Sequence, residues 1–152
     1  MKSLILYASQ SGNTEKVALA IKKELQCEAV NIKNLGKSNP KDFWTANPAD
    51  IYFIGTGIYA GKVHSALHDF FIAQPPLNHG QFSLFATWVG RGNSGVDSLD
   101  KFAKYLQKHN SKIVKPYFLC YGKVALFRFQ HPDDADLRNA CTWAQSIVGQ
   151  NI

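Results

Sequence analysis

The stretch Leu4-Ile5-Leu6-Tyr7-Ala8-Ser9-Gln10-Ser11-Gly12-Asn13-Thr14 decides the fold of this chain. Its first five residues form a short apolar run, which reads as a buried strand. Beyond it, Val17, Ile21 and Leu25 recur at helical spacing within Glu15 to Leu25. Strand, hydroxyl-rich turn with one glycine, then helix is a geometry that holds phosphate. The N–H groups of a helix's first turn have no partner within the helix, and the macrodipole favours an anion there. Ser9, Ser11 and Thr14 add hydroxyl donors and Asn13 an amide donor.

What the stretch lacks narrows the ligand. It contains no cation, whereas a nucleotide-triphosphate loop needs G-x-x-x-x-G-K-[ST]. The dinucleotide fingerprint G-x-G-x-x-G is also missing. A single terminal monoester phosphate suits what remains. The plainer alternative is a polar turn capping a helix, since Ser, Thr and Asn are ordinary N-cap residues.

Working outward, 152 residues fit one domain with a single core, and 45% hydrophobic with 18% charged residues is a globular composition. Nothing reaches transmembrane length, and the N-terminal apolar run is too short for a signal-peptide core. Cys27, Cys120 and Cys141 are odd in number and widely spaced, so they read as buried small hydrophobes in a reducing cytoplasm.

The chain alternates strands and helices without repeats or a linker. Strands are expected at Leu4 to Ala8, Glu28 to Ile32, Asp50 to Gly55, Phe82 to Trp88 and Pro116 to Tyr121. Asn34 to Pro48 reads as a loop holding a turn of helix. Helical faces follow at Val63, Ala66, Leu67, Phe70 and Phe71, at Leu99, Phe102, Ala103 and Leu106, and from Leu137 to Val148. Asp133 and Asp134 stand at the positive end of the last helix. Five strands between four helices imply an α/β three-layer sandwich with a five-stranded parallel sheet of order 2-1-3-4-5. Ligands of such sheets bind beyond the carboxyl ends of strands one and three.

The expected third strand leads into Gly55-Thr56-Gly57-Ile58-Tyr59-Ala60-Gly61, and the fourth into Thr87-Trp88-Val89-Gly90-Arg91-Gly92-Asn93-Ser94-Gly95. Both are glycine-rich and each carries one large aromatic ring. Glycines let a backbone approach a planar ligand, and aromatic rings offer stacking faces.

With these loops in place, the chain resembles the flavodoxin family over nearly its whole length. The resemblance implies FMN as cofactor. Ser9, Gln10, Ser11, Gly12, Asn13 and Thr14 match the family's phosphate loop; Thr56, Gly57, Ile58, Tyr59, Ala60 and Gly61 match the first isoalloxazine loop; Thr87, Trp88, Val89, Gly90, Gly92 and Asn93 match the second. Tyr59 and Trp88 read either as stacking rings or as core. A short segment between the last strand and last helix, Gly122 to Pro132, is similar to the family's short-chain form. The implied function is electron shuttling between redox partners, with no catalytic residue, and a backbone carbonyl turning toward the flavin at Gly57-Ile58 or Ala60-Gly61. Two alternatives stay open. Gly57 to Phe71 also resembles flavodoxin-like protoporphyrinogen dehydrogenases, and other relatives reduce quinones; a flavin-free docking module would keep the fold alone.

The net charge of +6 departs from this resemblance, because flavodoxins are commonly acidic. Lys101, Lys104, Lys108, Lys112 and Lys115 gather on the solvent side of the fourth-strand helix and beyond it. They read as a solvated face or as a docking surface near the flavin for an acidic protein partner. Interleaved aromatics and arginine-rich runs are missing, which argues against nucleic acid. Arg91 replaces the carboxylates common in the second flavin loop. His64 and His68 stand at i, i+4 on one expected helix without a third ligand, so no metal is expected. No G-x-S-x-G elbow anchors a hydrolase triad. Phe127-Arg128-Phe129 reads as a cover for the site or a partner contact.

Overall fold

A computed structural model describes residues 1–35, 43–77, 79–123 and 130–150. Its elements are β1 (Ser3–Ala8), α1 (Asn13–Leu25), β2 (Glu28–Asn31), a 3-10 turn (Ile32–Asn34), α2 (Phe43–Ala46), β3 (Ile51–Tyr59), β4 (Lys62–Val63), α3 (Ser65–Ala73), β5 (Gln81–Trp88), α4 (Ser94–Gln107), β6 (Lys112–Ile113), β7 (Phe118–Tyr121) and α5 (Asp134–Gly149). Period-two alternation of apolar residues explains the three layers. Leu4 and Leu6 of β1, Tyr52 and Ile54 of β3, and Phe82 and Leu84 of β5 face α2, α3 and α4. Ile5, Tyr7, Phe53 and Phe85 face α1 and α5 through Val17, Ile21, Ala140 and Ala144. Both faces of the sheet are therefore covered, as parallel strands require.

Among the described residues seven strands stand where five were expected, five of them in the order β2-β1-β3-β5-β6. One addition is β4, which folds back antiparallel on the end of β3. The other comes from the last strand dividing into β6 and β7, both parallel to β5. Pro116 lies between them and has no N–H to give to a ladder. With β4 set aside and β6 and β7 taken as one position, the expected order 2-1-3-4-5 holds.

The expected third strand, Asp50 to Gly55, runs on to Tyr59, where Ile58 pairs with Val63 and Tyr59 with Lys62. Its glycines are packing notches within the strand. A Cβ on Gly55 would lie 2.2 Å from the Phe85 ring, and one on Gly57 would lie 2.3 Å from the Tyr59 hydroxyl. Val63 belongs to β4, ahead of the helix to which its spacing assigned it. Trp44 of α2 is buried, so the turn of helix expected in the long loop contributes to the core. On α4 the stripe Leu99, Phe102, Ala103 and Leu106 is buried, and Lys101, Lys104 and Lys108 are exposed. Cys120 is buried, but Cys27, between α1 and β2, and Cys141, on α5, are only half-buried. No helix among the described residues is long and apolar enough to cross a membrane.

Candidate functional site

The site lies at the carboxyl ends of β1, β3, β5 and β7, where the turn between β1 and α1 is held from several directions. Ser9 Oγ accepts from Gly12 N–H at 3.1 Å, which closes the turn internally. Gly12 has φ +85°, with open space where a Cβ would stand, and its carbonyl accepts from Lys16 N–H to start α1. Thr14 Oγ1 lies 2.8 Å from Thr87 Oγ1 at the end of β5, and both hydroxyls are buried. Gln10 N–H donates to Tyr59 Oη at the end of β3. The Asn13 amide donates to Lys123 O beyond β7 at 2.8 Å and to Ser11 Oγ at 3.0 Å. A Cβ on Gly122 would stand 2.8 Å from Asn13 Nδ2, so a side chain there would displace this amide.

The expected first flavin loop is a hairpin tip. Ala60 (φ +48°) and Gly61 (φ +73°) are the two central residues of its turn, both left-handed as a type I′ hairpin demands. Thr56 Oγ1 donates to Gly57 O and accepts from His64 N–H, so its hydroxyl serves the framework. Ile58 is buried in the core. Tyr59 and the two tip residues are exposed, and the Tyr59 ring lies over Gly57 with its edge against His64.

In the second loop, Trp88 packs over Gly90 and Gly95 and stacks with Tyr121 at a centroid distance of 6.0 Å. Gly92 (φ +65°), Asn93 and Val89 are exposed, and Arg91 stands beside them. The eighteen residues singled out in sequence thus share one end of the sheet. Thr14, Thr56, Ile58 and Thr87 turn their side chains into the framework. Phe127-Arg128-Phe129 lies outside the described residues.

The electrostatics favour an anion at the turn. Glu15, the one acid in the first turn of α1, accepts from Tyr7 Oη at 2.9 Å on the α1 side of the sheet. Burial and then that carboxylate push the Tyr7 phenol up to about 12. One residue that sequence reasoning missed is Lys33, whose Nζ lies 3.4 Å from Ser9 O. It comes from the end of β2, twenty-four residues from Ser9, so no local spacing signals it. Burial first, then the Lys33 charge, holds the His64 imidazole below its usual range. Tyr121 is the other missed residue, hidden as an ordinary strand aromatic.

The two histidines expected on one helix do not share it. His64 precedes α3, and its Nδ1 accepts from Ala66 N–H as an N-cap. His131, Asp133 and Asp136 bring ligand atoms within 4.8 Å of one another. Asp133 and Asp136 form a capping box on α5, and His131 Nδ1 lies 2.6 Å from Asp136 Oδ2. Helix capping accounts for the group.

A doubly covered parallel sheet with a hydroxyl-rich turn after its first strand and glycine-containing turns after β3 and β5 defines a flavodoxin-like α/β protein. The sequence model of the flavodoxin domain family matches residues 4–131, and the chain belongs to that family. It is 31% identical over 160 residues to an uncharacterised protein of Methanocaldococcus jannaschii, covering 97% of this chain and 99% of the relative. It is 30% identical over 131 residues to the flavodoxin-like domain-containing protein BilS of Clostridioides difficile, covering 82% of this chain and 68% of that one. Among solved structures, oxidised flavodoxin 1 of Bacillus cereus superposes with a TM-score of 0.75 at 18% identity, over 98% of both chains. A short-chain flavodoxin associated with a bacterial microcompartment gives 0.72 at 18% identity over 99% of both. At these identities the superpositions establish the fold.

Proposed function

We propose that this chain binds FMN at the carboxyl end of its sheet and carries electrons between redox partners. The observation that carries the reading is the segment Ser9 to Thr14, tied through Gln10, Thr14 and Asn13 to the ends of β3, β5 and β7 and open at the N-terminus of α1. The donor set fits a monoester phosphate. The first-turn N–H groups of α1 face outward, Gly12 leaves open space above the turn, and the Glu15 carboxylate is held on Tyr7.

Ser11 Oγ and the N–H groups of residues 11 and 13–15 would hold the phosphate, and Tyr59, the hairpin tip and residues 88–93 would flank the ring. The flavin supplies the redox chemistry when bound, so the protein needs no general acid or nucleophile. Tyr59 and Trp88 exclude water from either side of the crevice. Arg91 places a cation beside it, which favours negative charge on a bound group relative to a carboxylate-lined site. The free cysteines fit a reducing cytoplasm.

The partner that suits this surface is acidic. Exposed apolar residues Tyr59 and Val89 belong to the two loops, Lys62 and Arg91 follow closely in each, and Lys101 lines a groove with Gly61 and Lys62. Cations around an apolar centre steer an acidic protein and then desolvate against it.

The test is a titration of the purified protein with FMN, followed by tryptophan quenching and the visible bands, then stepwise reduction. Stoichiometric binding with two resolved one-electron steps is expected. Reduction in one two-electron step, with turnover of a quinone or porphyrinogen without a partner protein, would move the chain to the enzymes of this fold. No FMN binding would remove the reading.

A further inference from the structure

The turn between β1 and α1 holds no cation of its own, yet a lysine reaches it from the neighbouring strand. The turn Ile32–Asn34 follows β2 directly, and Asn31 Oδ1 accepts from Lys33 N–H at 3.1 Å to cap it. Ile32 is buried in the core, which fixes where Lys33 leaves the backbone. The Lys33 stem then crosses the end of β1, and its ammonium meets the carbonyl of Ser9, the first residue of the turn. An ammonium has three donors, so one bond to Ser9 leaves two. At the other end of that same peptide, Gln10 N–H donates to Tyr59 Oη, which leaves the phenol proton free to donate. Among the described residues no carboxylate pairs with Lys33.

We propose that Lys33 supplies the countercharge of the phosphate site, in trans from β2, and sets its preference for a phosphorylated flavin over the unphosphorylated one. The inference rests on the FMN reading given above. A phosphate monoester carries between one and a half and two negative charges near neutral pH, roughly, and neutral N–H donors leave that charge uncompensated. A lysine on a flexible stem acts as a point charge that follows the anion without demanding bidentate geometry. Its bond to Ser9 O holds the Lys33 charge at this end of the sheet.

The experiment compares FMN, riboflavin and inorganic phosphate on the wild type, Lys33→Met and Lys33→Arg. Lys33 is exposed and its side chain is absent from the core, so the variants are expected to melt with the wild type. Lys33→Met should weaken FMN about ten- to a hundredfold, the order for a hydrogen bond to a charged group, while riboflavin changes less than about twofold. Lys33→Arg should restore most of the loss, and the salt dependence of FMN binding should flatten in Lys33→Met. Equal weakening of FMN and riboflavin would make Lys33 a structural tie to Ser9 and overturn the proposal, as would unchanged FMN affinity. If the wild type binds no FMN, inorganic phosphate followed at the amides of residues 9–15 separates the two ideas. Phosphate binding lost in Lys33→Met keeps the lysine's role and removes the cofactor, and no phosphate binding at all removes both.

Discussion

Thr14 and Thr87 share a hydroxyl–hydroxyl hydrogen bond of 2.8 Å beneath the site, joining the first turn of α1 to the last residues of β5. Both side chains are almost wholly buried, at 1% and 4% exposure. Thr87→Val should therefore destabilise the protein by about 1–3 kcal/mol, because Thr14 keeps a buried hydroxyl with no partner. Replacing both with valine should recover most of that loss. Urea unfolding of the two single variants and the double one checks the coupling; additive losses would mean the bond contributes nothing.

The hairpin tip is a backbone requirement. Nothing lies within 4 Å of a Cβ built on Gly61, so any cost of a side chain there comes from its φ of +73°. Gly61→Val should cost about 1–3 kcal/mol, while Gly61→Asn, which tolerates the left-handed region, should cost much less. Thermal melting of the two variants separates strain from crowding.

His64 gives stability a pH signature. Its Nδ1 caps α3 by accepting a proton from Ala66 N–H, which only the neutral ring can do. The folded-state value lies below the ordinary 6.5, through burial and then Lys33. The unfolded chain thus takes up the proton first. The contribution is complete above about pH 6.5 and is lost as pH falls through the folded value. His64→Asn keeps a capping oxygen without the titration, so its unfolding midpoint should be flatter than the wild type between about pH 7 and 5.

The three thiols should separate by reactivity. Burial, then Asp136 and Asp133, pushes Cys120 up to about 12. Cys27 and Cys141 are also raised by burial, but both are half-buried. A disulfide reagent at neutral pH should modify these two first and Cys120 only on unfolding. Early labelling of Cys120 would show that the end of β7 opens in the native state.

The buried alternation of β1, β3 and β5 and the helical stripes made the sheet order and both covering layers legible in the sequence. Glycine misled the reading at Gly55 and Gly57, where it marks room for the Phe85 and Tyr59 rings and the strand continues. Side-chain direction was not legible either. Thr56 and Thr87 read as members of the flavin loops, and their hydroxyls bond within the framework to partners, His64 and Thr14, that come from other elements. Lys33 was hidden for the same reason. Only the packing of β2 against β1 brings it to Ser9.

The tying of the Ser9–Thr14 segment to the ends of three other strands has a kinetic consequence. The loss of chain freedom in that segment occurs during folding, before any ligand arrives. Association should then be a single bimolecular step whose observed rate rises linearly with ligand concentration and never reaches a plateau. Differences in affinity among ligands and variants should accordingly appear in how long the complex lives.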